Sequence, residues 1–85
     1  MPKSVFTPAY AALLRNLVAI RKNAGVTQVQ LSERLGKPQS FVSTIERGVR
    51  RLDVLEFYVI ARALGRDPHA AYVELTSGLP EHVEI

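Results

Sequence analysis

The chain has 85 residues, 47% of them hydrophobic, with a formal net charge of +3 and an isoelectric point near 9.7, which bounds it to one domain with a small core. The absence of cysteine rules out disulfides and thiolate metal sites, and the isolated His69 and His82 offer no metal-ligand spacing. No apolar run approaches the roughly 18 residues of a membrane span, and MPKSVFTPAY at 1–10 lacks the apolar segment of a secretory signal, so a cytoplasmic location is the expectation.

Leu13, Leu14, Leu17, Ile20 and Ala24 recur at helical spacing, which predicts a first helix over 9–24, ended by Gly25. Thr27 followed by Gln30 is a capping-box pattern, so a second helix starts at Gln28. Leu31 and Leu35 share one of its faces, Ser32 is small enough to admit a neighbouring helix, and Gly36 supplies the left-handed residue that closes it. Pro38 suits the approach to a third helix over 39–47, in which Val42 and Ile45 point inward and which Gly48 stops. Asp53 and Glu56 repeat the capping-box pattern, and Leu55, Tyr58, Val59, Ala61 and Leu64 line a fourth helix that Gly65 terminates. Asp67 and Pro68 open a fifth, with Ala71, Tyr72 and Leu75 on its apolar face, before Ser77, Gly78 and Pro80 break it. The last residues, VEI, offer a strand that would add across a dimer.

Two short amphipathic helices joined by a Gly-containing turn, at 27–48, form the pattern of a helix-turn-helix, whose second helix enters the DNA major groove. The exposed first turns of that helix carry Gln39, Ser40, Ser43 and Thr44, the candidate base contacts. Gln39 can present its amide to adenine N6 and N7, a bidentate contact that discriminates by roughly 1–3 kcal/mol. Thr44 offers a methyl to thymine and a hydroxyl to a base or phosphate, while Ser40 and Ser43 either reach bases or bond back to nearby backbone. Gln28, at the start of the second helix, is placed for a phosphate; the alternative is a good helix former on a solvated face. Lys37, Arg47, Arg50 and Arg51 cluster around the third helix, whereas Glu74, Glu81 and Glu84 fall near the C-terminal end, so the basic side is the reading side. These cations suit phosphates, one of the arginines suits a narrowed minor groove, and the plain alternative is a solvated cationic loop. Phe41 either covers a sugar or thymine methyl or packs against the end of the second helix or the loop after the third.

IRKNAG at 20–25, Thr27, Gln28, Leu31, Leu35, Gly36, Val42, Ser43, Ile45, Glu46, Gly48, VRRLD at 49–53 and ALG at 63–65 occur in one order. In that order the chain resembles the Xre family, the phage Cro and lambda-repressor-like helix-turn-helix regulators, over roughly residues 17–75. Two positions depart: Ser32 stands where the family usually has Ala, and Leu52 where it usually has Pro, which leaves the exit loop less rigid. The resemblance implies an all-α, compact five-helix lambda-repressor-like DNA-binding domain over 9–76, preceded by a flexible arm at 1–8 and followed by a tail at 77–85. It implies a phosphate contact for Gln28, and a structural ion pair between Arg21 and Glu46 that joins the first and third helices.

The expected function is therefore that of a bacterial or phage-type transcription regulator, a repressor that binds a palindromic operator in double-stranded DNA as a homodimer. One recognition helix reads few base pairs, and Tyr72, Val73 and Leu75 give the fifth helix more apolar surface than a monomer needs, the alternative being that Tyr72 and Leu75 cap the core. An enzyme is not expected: the carboxylates serve as caps or on solvated faces, and no triad, phosphate loop or metal spacing occurs. No cofactor, small-molecule substrate or membrane is expected. The rival reading is an antitoxin or protein-interaction module on the same scaffold, with a protein partner bound by the short apolar tail.

Overall fold

The computed structural model describes residues 7–85. Among them are five helices, α1 (Pro8–Asn23), α2 (Gln28–Arg34), α3 (Phe41–Glu46), α4 (Val54–Ala63) and α5 (Pro68–Leu75), and no strand. Short polar side chains start four of the five. The Thr7 hydroxyl accepts from the Tyr10 amide, Thr27 and Asp53 head reciprocal capping boxes with Gln30 and Glu56, and Asp67 accepts from the Ala70 amide. Each satisfies a donor that the first turn leaves without a carbonyl. Because Thr7 is the cap and Pro8 takes the first helical position, α1 begins one residue earlier than the apolar spacing suggests. Of the expected arm, residues 1–6 lie outside the described residues.

The turn between α2 and α3 is set by Gly36, whose φ of +67° lets the Lys37 amide reach back to the Ser32 carbonyl at 3.0 Å and the Gly36 amide to that of Glu33 at 3.0 Å. This is the Schellman closure, and any residue with a Cβ is strained there. Pro38 then starts a tight turn, closed by the Phe41 amide on the Pro38 carbonyl at 2.9 Å. Regular α-helix follows only from Phe41, so Gln39 and Ser40 sit in the turn entering α3 rather than inside it, and Ser40 makes no side-chain cap.

The core gathers one stripe from every helix: Leu14, Leu17 and Ile20 from α1, Leu31 from α2, Val42 and Ile45 from α3, Phe57 and Ile60 from α4, and Ala71 and Leu75 from α5. α1 packs on α3 and α5, and α4 bridges α2 and α5, which holds the α2–α3 unit from behind while its outer side stays open. Asn16 donates to the carbonyls of Leu75 at 2.9 Å and Ser77 at 3.0 Å. That bond ties the end of α5 to α1 and anchors the first residue of the tail, which the sequence leaves loose.

Two expectations about faces are corrected. Leu55, Tyr58 and Val59 do not line the core: α4 turns Phe57, Ile60, Ala61 and its cap Leu64 inward, and leaves Leu55 72% exposed. On α5, Leu75 is buried while Tyr72 and Val73 are exposed. The tail shows no strand at 83–85.

Candidate nucleic-acid interface

The α2–α3 unit is fastened by polar bonds that start from side chains with no obvious local pattern. Ser32 is fully buried, and its hydroxyl accepts from the Val42 amide at 3.2 Å and lies 3.4 Å from the Gln39 carbonyl, to which it donates. The hydroxyl that distinguishes this residue from the usual Ala thus satisfies a buried first-turn amide of α3 and holds the Gln39 backbone. α3 is thereby fixed at its entry.

The other end of α3 is fixed through Glu46. Arg21 grips it with two parallel bonds, Nε to Oε2 at 2.7 Å and Nη2 to Oε1 at 3.1 Å, and Arg21 Nη1 donates to the Val26 carbonyl at 2.9 Å. The two side chains are 8% and 5% exposed. Their burial is accompanied by full pairing, since no buried side-chain nitrogen or oxygen among the described residues lacks a partner, the condition for such a pair to persist away from water. Gln28 joins the same group by donating Nε2 to Glu46 Oε1 at 2.8 Å. Its amide nitrogen is therefore turned inward, and one N–H of that group remains for any contact outside. Arg21, Gln28 and Glu46 link α1, α2 and α3 at one point.

Outward from this frame, Ser40, Ser43 and Arg47 recur at helical spacing opposite Val42 and Ile45. Gln39 and Ser40 are exposed, and the Gln39 side-chain amide has no partner among the described residues. Ser43 and Thr44 are half-buried, and both hydroxyls donate back to the chain, Ser43 to the Ser40 carbonyl at 3.0 Å and Thr44 to the Phe41 carbonyl at 2.8 Å. Each keeps acceptor lone pairs and has its proton engaged. Gln39 and Ser40 keep both donor and acceptor capacity free, and of the two only the Gln39 amide can make a bidentate contact.

The cations are arranged by two rings. Lys37 Nζ lies 5.5 Å and the Arg50 guanidinium 5.4 Å from the centroid of Phe41, which is half-buried against the core. Phe41 thus holds one cation before α3 and one after it. Arg50 is also paired with Glu56, the same residue that closes the α4 capping box. Arg51 stacks on Tyr10 with 4.4 Å to the centroid, and the Tyr10 hydroxyl accepts from the Leu52 amide at 2.9 Å. The exit loop is held by a bond that proline at position 52 cannot make, so the loss of proline rigidity is offset by Tyr10. Arg47 is exposed. No signal in the sequence marked Tyr10 or the Ser32 hydroxyl for these tasks, because their partners lie 42 and 10 residues away.

No group of three or more His, Cys, Asp or Glu side chains among the described residues is placed to hold a metal ion, and none of the helices is long and apolar enough to cross a membrane. What is presented instead is a rigid short helix with amide and hydroxyl groups at its entry and guanidinium and ammonium groups on both sides.

Comparison with known proteins agrees with this geometry. Residues 17–70 match the family model described as Helix-turn-helix. The chain is 35% identical over 66 residues, 78% of its length and 80% of the relative's, to y4dJ of Sinorhizobium fredii, named as an uncharacterized HTH-type transcriptional regulator. Among solved structures, an XRE-family like protein from Pseudomonas syringae pv. tomato superposes with a TM-score of 0.76 at 46% identity, covering 92% of this chain and 95% of that one. The chain belongs to the Xre-type helix-turn-helix family of DNA-binding transcription regulators, not to a family of enzymes.

Proposed function

We propose that this protein is a sequence-specific repressor that reads a palindromic operator in double-stranded DNA as a homodimer. The observation that carries the reading is the free Gln39 amide at the entry of a helix fixed at both ends, between cations held by Phe41 and Tyr10. Base edges require donors and acceptors that are not already spent within the protein, and phosphates require cations around them. Gln39 is the principal base reader, suited to adenine. Ser43 and Thr44 read as acceptors through their remaining lone pairs, which favours exocyclic amines of adenine or cytosine over carbonyl oxygens, and the Thr44 methyl suits thymine. Ser40 is free to contact either a base or a phosphate.

Lys37, Arg47, Arg50 and Arg51 take phosphates, and Phe41 acts by positioning two of them. Gln28 reaches the DNA backbone with the N–H that Glu46 leaves unused. Repression is the simplest output of such a reader, since occupancy of a promoter by the α2–α3 unit is enough to block polymerase.

The test is selection of bound duplexes from a random library at near-physiological salt, for the parent and Gln39→Ala in parallel. The proposal expects an enriched palindrome from the parent, loss of preference at one symmetric pair of positions in the variant, and reduced expression from a promoter carrying the selected site. Weak, salt-sensitive binding to every duplex, with no enrichment, overturns it in favour of an antitoxin or interaction module.

A further inference from the structure

α4 is apolar on both sides. Phe57, Ile60 and Ala61 face the core, while Val54, Leu55, Tyr58 and Val59 on the other side are 84%, 72%, 49% and 44% exposed. Apart from Glu56 and Arg62 the helix is apolar on both sides, and four large apolar residues on one outer face differ from the scattered apolar residues of an ordinary surface.

Charge placement shows what fits it. Asp53 stands at the N-terminal end of this helix and Arg62 at the C-terminal end, and both border one cleft with Leu55, Val59 and Glu56 between them, the last already paired with Arg50, and with Arg34 and Lys37 on its far wall. Nine residues of helix separate the two charges by roughly 13 Å at ~1.5 Å per residue. A second α4 laid antiparallel across the first, with the crossing near Tyr58, brings Arg62 of each copy over Asp53 of the other. It also sets each helix C-terminus beside an N-terminus, the favourable sense for the helix dipoles. The face is complementary to itself, the property required of a two-fold interface in which the same patch serves both subunits. Phe41 and Lys37 border the same cleft as Leu55, so pairing here places the interface on the side of α4 that adjoins the entry of α3.

We infer that the outer face of α4 is the surface through which two copies of this chain pair, antiparallel about Tyr58; the inference rests on the homodimer proposed above and assigns its interface. α5, with only Tyr72 and Val73 exposed on it as large apolar residues, lies outside the pairing surface.

The chain contains no cysteine, so Tyr58→Cys introduces a single thiol, and a crossing at position 58 brings the two thiols within disulfide reach. Oxidation of the full-length variant is expected to give a covalent dimer on a non-reducing gel, whereas Lys22→Cys, on the exposed side of α1, gives none. In sedimentation, Val59→Asp, which changes an exposed residue, is expected to keep the parental helix content and to weaken dimerisation at least tenfold. A dimeric parent whose Val59→Asp variant dimerises equally well, with no cross-link through position 58, overturns the interface and leaves the homodimer standing. A parent that stays monomeric both free and on its selected duplex overturns the homodimer itself, and the interface with it.

Discussion

Glu46→Ala removes the hub of the buried polar group. The Arg21 guanidinium keeps one bond, to the Val26 carbonyl, and loses both contacts to carboxylate oxygens, while its side chain is 8% exposed. Gln28 Nε2 loses its acceptor at the same time. Stranding one member of a buried pair costs about 3–5 kcal/mol. Against a total stability on the order of 0.05–0.15 kcal/mol per residue, that is a large share for a domain of this size. With a shift of about 4–8 °C for each kcal/mol in a domain of 60–100 residues, the melting temperature should fall by at least ~12 °C. Thermal and urea unfolding followed by circular dichroism measures it, and a double-mutant cycle with Arg21→Met isolates the coupling. The double variant Arg21→Met with Glu46→Leu should recover most of the loss, because apolar replacement of both partners leaves no unpaired charge. At a temperature where Glu46→Ala is folded, its preferred DNA sequence should be that of the parent. A Glu46→Ala variant that melts within about 2 °C of the parent refutes the reasoning, since roughly 0.5 kcal/mol is what an exposed pair contributes.

Ser32→Ala leaves the Val42 amide buried without its acceptor and should lower the urea unfolding free energy by about 1–3 kcal/mol; equal midpoints and slopes would show that the amide finds another partner. Tyr10→Phe keeps the ring beneath Arg51 and removes the acceptor of the Leu52 amide, so it should cost about 1 kcal/mol and speed hydrogen exchange at Leu52 more than at the α4 amides, as measured by NMR. Arg47→Gln should weaken binding to every duplex alike and reduce the slope of log affinity against log salt by about 0.9, one phosphate's worth; an unchanged slope would remove Arg47 from the backbone contacts.

Helix starts were legible because caps are local. Thr27 with Gln30 and Asp53 with Glu56 lie three residues apart, and those spacings alone place the first turns of α2 and α4. Facing was legible only where one side of a helix is polar. In α4 both sides are apolar, so the spacing of Leu55, Tyr58 and Val59 is as regular as that of Phe57, Ile60 and Ala61, and periodicity has nothing to separate them. Arg21 and Glu46 were paired through family resemblance, whereas the turning of Gln28 toward Glu46 depends on where three helices meet. The Ser32 hydroxyl and Tyr10 escaped for the same reason. Each is an ordinary residue in its own helix and acquires a task from an amide on another element.

Phe41 has a consequence for binding that no contact with DNA would reveal. Ordering a lysine or arginine side chain takes up to about 2 kcal/mol of rotamer entropy, and a flexible cation meets that penalty when it docks. With Lys37 and Arg50 already resting against one ring, part of the loss falls on folding rather than on association, as in any preorganised binder. The charged groups on either side of the reading helix therefore meet the duplex as parts of a fixed surface, with less freedom to give up on contact.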